Sequence, residues 1–441
     1  MKKITVIGTG YVGLVSGAGI SDFGHNVLCV DIDTKKIDNL QKGKIPIYEP
    51  GLEELVKRNQ LAKRLSFSTD IDQAIQGSDV IFIAVGTPQA DNGEADIRAV
   101  EAVARTIGKN MNSYKIICTK STVPVGTGKK ISKIIKGEIS SDIIFDYVSN
   151  PEFLREGSAV KDFLWPDRVV IGAVSDRAFG VLRDVYRPLY VNETPILHTN
   201  ISTAEMIKYA ANAFLALKIS YINEVANLCE ELNADVHQVA KAMGMDGRIS
   251  SKFLHPGPGY GGSCFPKDTH AIAELARKKD IPMNTIDAAI KTNNYQKDRM
   301  SKKLKALLGD DFSGKKIGIL GLSFKPNTND VRESSSINMI QSILDGGGQV
   351  FAYDPISNKE MAEIFPNLNY SKSWVEACDS SDAVAIMTDW NEFRGMDLDY
   401  LKTIMKTPKI LDTRNILSME KLSKIGFQFD NVGRNVSLDD Y

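Results

Sequence analysis

The chain alternates short apolar runs with helix-length segments. Ile4 to Ile7 is a β-rich run that stops at Gly8, a glycine-punctuated helical segment follows, and a second run, Val27 to Val30, stops at Asp31. Apolar runs of this length bounded by turn residues predict a β-α-β unit. Val80 to Val85, ending in Gly86-Thr87-Pro88, and Lys115 to Cys118, ending in Thr119-Lys120-Ser121-Thr122-Val123-Pro124, continue the series. Strands alternating with helices imply a parallel sheet whose carboxyl-end loops form the site.

The C-terminal third repeats this grammar. Lys316 to Leu320 ends in Gly321, Val350 to Tyr353 ends at Asp354, and Ala383 to Met387 follows Ser381-Asp382 much as Val80 follows Ser78-Asp79. Between the two patterns, no Gly or Pro occurs from Ile196 through Met243, and the stretch from Thr203 is rich in Ala, Leu, Glu, Lys and Met. That composition predicts a long helix or a helical pair. A helix of about 30 residues would run roughly 45 Å, enough to connect two domains, and apolar residues on more than one side would suit a dimer interface as well as a buried position. The expected fold is therefore α/β, with two Rossmann-like parallel-sheet domains joined by a long central helix and a helical middle domain. The expected boundaries are 1–196, 197–300 and 301–441.

A length of 441 residues agrees with roughly three domains at about 150 residues each. Lys plus Arg number 54 against 55 Asp plus Glu, a net charge of −1, so there is no bulk electrostatic case for nucleic acid or an anionic membrane. Any anionic ligand must be held locally. Five cysteines without paired spacing make neither a disulfide framework nor a metal site, and the five histidines offer no metal spacing and no triad. The apolar run after Met1-Lys2-Lys3 is too short for a signal peptide, and no run approaches the roughly 18 apolar residues of a membrane span. These features lead us to expect reduced thiols and a cytoplasmic protein.

The strongest local motif is Gly8-Thr9-Gly10-Tyr11-Val12-Gly13, which follows a strand, opens a helix and precedes Asp31 at the end of the next strand. Gly8 permits the tight turn, Gly10 lets the backbone approach a pyrophosphate, and Gly13 lets helix and strand pack closely. The free N–H groups of the helix N-terminus would hold the pyrophosphate. Asp31 can accept from both ribose hydroxyls and would repel a 2′-phosphate, which favours NAD over NADP. FAD, or S-adenosylmethionine on a related fold, stays open on this motif alone.

A second motif runs Gly257-Pro258-Gly259-Tyr260-Gly261-Gly262-Ser263-Cys264-Phe265-Pro266-Lys267-Asp268. Its glycines make a loop whose backbone N–H groups could approach a ligand, and Pro266 suits the first turn of a helix continuing to about Arg277. Cys264 thus falls at a helix N-terminus beside Lys267, and both features raise the thiolate fraction. Cys29, Cys118, Cys229 and Cys378 sit within apolar runs or helical segments and read as small core hydrophobes. Lys208 and Asn212, spaced i, i+4, share one helical face, which is either a functional or a solvated one. Asn150-Pro151-Glu152-Phe153-Leu154-Arg155-Glu156 can be explained as an N-cap with a first-turn Pro and Glu.

A dinucleotide site combined with an activated thiol suggests a particular chemistry. Hydride loss from a primary alcohol gives an aldehyde, and an aldehyde loses a second hydride only after its carbon becomes tetrahedral. Thiolate addition achieves this, and the resulting thioester is hydrolysed by water. A two-electron 3-hydroxyacid dehydrogenase would need no thiol, and a catalytically silent nucleotide-sugar sensor would gain nothing from a thiol, Lys and Asn arranged together.

From Lys3 to about Arg434 the chain resembles the UDP-glucose/GDP-mannose dehydrogenase family. The resemblance rests on Gly8 to Gly13, Gly86-Thr87-Pro88, Ser121 to Thr127, Asn150 to Glu156, Lys208 with Asn212, Gly257 to Asp268, and Gly321-Leu322-Ser323-Phe324-Lys325 leading to Asp330-Val331-Arg332-Glu333-Ser334. It implies NAD-dependent four-electron oxidation of a nucleotide sugar with Cys264 as nucleophile, Lys208 and Asn212 on the C6 oxygen, Asp268 and Thr122 on the water, and Glu152 in acid/base work, which replaces the cap-only reading of Glu152. The cofactor residues it implies, beside Gly8 to Gly13 and Asp31, are Lys35, Thr87, Thr122, Glu156, Lys267 and Arg332. Phe153, Leu154, Phe253, Tyr260, Gly261 and Lys325, with Glu152, Lys208 and Asn212, would line the sugar nucleotide. Arg248 would reach the neighbouring subunit's substrate in a homodimer paired through the long helix, and the C-terminal domain would bind the UDP end. The wording Gly-Gly-Ser-Cys-Phe-Pro-Lys-Asp and Lys218 to Glu224 look closest to the UDP-glucose branch, with GDP-mannose and UDP-N-acetylmannosamine as alternatives. Asn327-Thr328-Asn329 departs from a linker that is often more acidic or Gly-bearing.

Overall fold

The computed structural model describes residues 1–434 apart from Asp91 and Ser141. Residues 435–441, the end of the expected C-terminal domain, lie outside the described residues. The chain divides into two compact units, Met1–Ala211 and Asn212–Tyr441.

The first unit carries β1 (Lys3–Ile7), β2 (Asn26–Val30), β3 (Leu65–Ser68), β4 (Val80–Ile83), β5 (Lys115–Thr119), β6 (Phe145–Ser149), β7 (Val169–Ala173) and β8 (Ile196–Thr199). They form one sheet in the order β3-β2-β1-β4-β5-β6-β7-β8, parallel except where β6 meets β7. Its central strands are buried on both faces, so alternate residues feed two separate cores. Ile4, Val6, Val80 and Phe82 join one cluster, while Ile7, Ile81 and Ile83 join the other. Chain direction across the sheet reverses between β1 and β4, and there the loops after Ile7 and Ile83 open the crevice where α/β sheets bind ligands.

The second unit repeats the plan with β9 (Lys316–Leu320), β10 (Gln349–Tyr353), β11 (Asn369–Tyr370), β12 (Ala383–Ile386), β13 (Lys409–Asp412) and β14 (Gln428–Asn431). Their order, β11-β10-β9-β12-β13-β14, matches that of the first six strands, and all pairs are parallel. The repeat read from the sequence is thus a repeat of topology. Helices Val236–Gly244 and Asn284–Leu307 cover one face through Val236, Met300 and Leu304.

The Gly- and Pro-free stretch holds β8, a helix of 31 residues, Ile201–Glu231, and most of the helix Val236–Gly244. At 1.5 Å per residue the longer helix is about 46 Å long. This spine helix starts in the first unit and ends in the second. Among the described residues no helix is long and apolar enough to cross a membrane.

Candidate active site

In the first unit, the glycine motif behaves as three separate constraints. Gly8 has φ 100°, a left-handed value that side chains avoid, and a Cβ there would lie 2.7 Å from Ala84 O. A Cβ on Gly13 would lie 1.9 Å from Gly8 O, whereas a Cβ on Gly10 would meet nothing within 4 Å. Gly8 and Gly13 therefore serve the fold, and Gly10 keeps an open space. Helix Tyr11–Asp22 begins at Gly10 with no side-chain cap and no acidic residue in its first turn, so its N–H groups are available to a pyrophosphate.

Asp31 Oδ2 accepts from Thr9 N at 2.8 Å and Thr9 Oγ1 at 2.7 Å, and Lys36 Nζ stands 3.3 Å away. Burial pushes this carboxyl up, but the Thr9 and Asp33 hydrogen bonds and the Lys36 charge together bring it below its usual value. It is held ionised beside the open space, as a ribose acceptor must be. Lys35 is exposed, and it is Lys36 that the helix turns toward Asp31. Thr87 Oγ1 donates to Thr122 O at 2.8 Å, joining the loops after β4 and β5.

Sequence reasoning missed Glu49. Its carboxylate accepts from Gly157 N at 2.6 Å, from Ala159 N at 2.7 Å and from the Tyr11 hydroxyl. It fastens the loop that carries Glu156 to the first residue of the cofactor helix. Val12, next along, belongs to that helix, and Leu154 packs against the adjoining core. A lone acidic residue 108 positions from Gly157 leaves no signature in the sequence.

The expected Asn150–Glu156 segment follows β6 without forming a helix; the next one is Ala159–Leu164. Glu152 is therefore no helix-capping residue. It is buried, its Oε1 accepts from Lys208 Nζ at 3.0 Å and its Oε2 from Leu154 N. The Lys208 ammonium also lies 5.4 Å from the Phe153 ring centroid, on whose face the Arg168 guanidinium stacks at 3.7 Å. Lys208 is only 3% exposed, which decides against the solvated-face reading. One turn earlier on the spine helix, Glu205 accepts from Gly126 N and Gly128 N, both at 2.7 Å, and so anchors the helix to the Ser121–Thr127 loop.

The second unit holds the thiol. Cys264 is the N-cap of helix Phe265–Arg277, with Pro266 in the first turn, and it is half-buried. Its four counterparts are buried; burial alone pushes the Cys29 thiol up to about 12, and it does most to bring Cys118 to about 12. Asp268, one turn on, is fully buried, accepting from Asn212 Nδ2 at 2.6 Å and from the Lys267 ammonium. The spine-helix residue Asn212 thus meets the thiol helix one turn inside its N-terminus. Tyr260 and Phe253 pack on the Phe265 ring at 6.1 and 6.0 Å.

The glycine loop packs closely within its own unit. Its N–H groups turn inward: Gly257 N donates to Asn223, Tyr260 N to Asn293 and Gly262 N to Arg332 O. A Cβ on Gly261 would lie 2.3 Å from Glu333 O, and one on Gly262 2.7 Å from Phe324. These glycines leave room for the close approach of the segment after β9. In that segment Lys325 lies over Phe324, and Arg332 pairs with Asp330 at 2.7 Å. Asn327 has φ 65°, a left-handed value that Asn tolerates better than most residues other than Gly. Arg248 is exposed and paired with Asp246 at 2.6 Å. At the second topological switch, Asp354 is buried and its Oδ2 accepts from Leu322 N, Ser323 and Trp390 Nε1.

Comparison with known proteins gives three family-model matches. They are the NAD binding domain of the UDP-glucose/GDP-mannose dehydrogenase family over residues 2–190, its central domain over 202–295 and its UDP binding domain over 318–419. The chain is 49% identical to a UDP-glucose 6-dehydrogenase of Rhizobium meliloti (strain 1021), covering 98% of this chain and 99% of that one. It is 48% identical to the UDP-glucose 6-dehydrogenase TuaD of Bacillus subtilis (strain 168), over 98% and 94%. A UDP-glucose dehydrogenase structure from the archaeon Pyrobaculum islandicum superimposes with a TM-score of 0.92 at 37% identity, covering 98% of each chain. The dinucleotide is therefore NAD, and the chain belongs to the UDP-glucose/GDP-mannose dehydrogenase family of NAD-dependent oxidoreductases.

Proposed function

We propose that the chain oxidises UDP-glucose to UDP-glucuronate, with two NAD and one water consumed and two NADH and three protons formed. The observation that carries this reading is Cys264 at a helix N-terminus with Asp268, one turn on, bonded to Asn212 of the spine helix. The UDP-glucose preference is supported by the near-full-length identity to UDP-glucose 6-dehydrogenases.

NAD, when bound, supplies the acceptor for each of the two hydrides. Its pyrophosphate would rest on the helix opened by Gly10, its ribose on Asp31, with Lys35, Thr87, Thr122, Glu156, Lys267 and Arg332 as further contacts. In the first oxidation the C6 hydroxyl loses its proton by way of Glu152 and C6 loses the first hydride while Lys208 and Asn212 hold the oxygen, leaving an aldehyde. The Cys264 thiolate then forms a C–S bond to C6, and the same two residues hold the resulting oxyanion. Loss of the second hydride from that carbon leaves the thioester. Water, positioned by Asp268 and Thr122, adds to the thioester, the C–S bond breaks, and the thiolate is regenerated; Glu152, paired with Lys208, moves protons in these steps.

Phe153, Leu154, Phe253, Tyr260, Gly261 and Lys325 are proposed to line the substrate, and Arg248 to reach that of a second copy. We propose three functional parts: residues 1–196 for NAD, 197–300 as a central helical part, and 301–441 for the UDP end. We also propose a cytoplasmic location and a homodimer; pairing along the spine helix is supported by Phe214, Tyr221 and Leu228, seven residues apart and 60%, 49% and 59% exposed. The deciding experiment follows NADH absorbance with UDP-glucose, GDP-mannose and UDP-N-acetylmannosamine in turn. Two NADH per UDP-glucose are expected; one per sugar, or preference for another sugar, overturns the corresponding part.

A further inference from the structure

Lys120 is a buried cation that none of the steps above uses. It follows β5 directly, is 4% exposed, and has no carboxylate within ion-pair distance among the described residues. Its ammonium donates to Asn150 Oδ1 at 3.2 Å and lies 5.8 Å from the Tyr186 ring centroid. Asn150 Oδ1 also accepts from the Tyr186 hydroxyl at 2.6 Å, Asn150 Nδ2 donates to Val170 O at 2.7 Å, and Asn150 N donates to Thr119 O at 2.9 Å. Every polar atom of the Asn150 side chain is thus fixed, two residues before Glu152. The Lys120 backbone N–H is itself fixed to Ile83 O at 2.9 Å.

An isolated buried ammonium is costly, and a lysine used only as filler would be better replaced by an apolar residue. We propose that Lys120 is a positioning residue for Glu152, holding the Asn150-Pro151-Glu152 turn through Asn150, and that it does so as a cation. Charge makes the bond to Asn150 a charge-assisted one and sustains the attraction to the Tyr186 ring; loss of the proton weakens the first and removes the second. The inference rests on Glu152 acting in the oxidation.

Four groups from different elements act on this ammonium. Burial, against the opposing Cys118 thiol and Glu152 and with a smaller push from the Lys208 charge, brings Lys120 down to about 8, and the Tyr186 hydroxyl is kept neutral chiefly by its own burial. The lysine is charged below that value, so turnover that depends on it falls as pH rises through about 8.

The test compares pH profiles of kcat for the full-length enzyme and two variants. Lys120→Met is expected to lower kcat about ten-fold, to leave both KM values within about two-fold, and to lose the alkaline limb. Asn150→Asp keeps the side-chain size and gives Lys120 a carboxylate partner, so its limb moves to higher pH; it stands in should Lys120→Met fail to fold. A limb unchanged in both variants overturns the inference. Wild-type NADH stoichiometry tests the underlying reaction separately: an active enzyme with an unaltered limb sinks only the role of Lys120.

Discussion

Asn212 donates to Asp268 Oδ2 at 2.6 Å across 56 residues of sequence, tying the spine helix to the helix that Cys264 opens. Asp268 is fully buried and receives the Lys267 ammonium on its other oxygen, so each carboxylate oxygen has its own donor. Replacing Asn212 by Ala leaves a buried acceptor unsatisfied, which costs about 1–3 kcal/mol. Asp268→Asn keeps the shape but removes the charge proposed to position the hydrolytic water. For Asp268→Asn, kcat is expected to fall about a hundred-fold or more, with a thioester adduct on Cys264 visible by intact-protein mass spectrometry. Absence of any adduct under turnover conditions would place the role of Asp268 before the thioester.

Cys264→Ser removes the one half-buried thiol among the described residues while leaving the first unit untouched. Steady turnover is expected to drop about a thousand-fold or more, because an alkoxide at a serine is far harder to form than a thiolate. NAD affinity, measured by fluorescence titration, is expected to stay within about two-fold, since Gly10 and Asp31 lie in the other unit. Unchanged turnover would favour a thiol-independent, two-electron reaction.

Gly10 and Gly13 separate ligand from packing within one motif. Gly13→Ala drives a methyl to 1.9 Å from Gly8 O, and such overpacking against fixed backbone costs about 1–3 kcal/mol or more. Gly10→Ala meets nothing within 4 Å, so thermal stability should hold while KM for NAD rises about ten-fold and KM for the sugar does not change. Equal losses of stability in both variants would mean that Gly10 serves the fold alone.

Legibility followed the distance over which each signal acts. The strand-glycine-helix order, the Asp31 position and the Cys264 helix start are set by neighbours a few residues apart, and all three appear where the sequence places them. Strand β6 was unreadable because Asp146 interrupts it; that carboxyl is taken by the Tyr114 hydroxyl at 2.5 Å, a partner 32 residues away. Glu49 and Lys120 gain their roles only from chain segments that the sheet brings together. The glycines at 261 and 262 mark a close approach that the sequence alone does not attribute to any segment; within the chain, Glu333 and Phe324 stand closest to them.

His25 supplies a stability prediction independent of catalysis. Its Nδ1 accepts from Lys2 N at 3.2 Å, and its Nε2 lies 3.2 Å from Val185 O, a carbonyl that can only accept. The ring is therefore neutral, with its proton on Nε2. Burial, which outweighs the opposing Val185 hydrogen bond, lowers its tendency to take a second proton below the ordinary histidine range. A depressed folded-state value means that the unfolded chain binds the proton more readily, so the contribution is present above the usual histidine value and lost as pH falls through the folded one. Melting temperature should decline as pH falls below about 6.5. His25→Gln offers an acceptor and a donor of similar reach without a titrating ring, and it should melt with a shallower acid slope. Parallel slopes for the variant and the wild type would assign the acid sensitivity elsewhere, and the next group to test is His237, which burial also depresses.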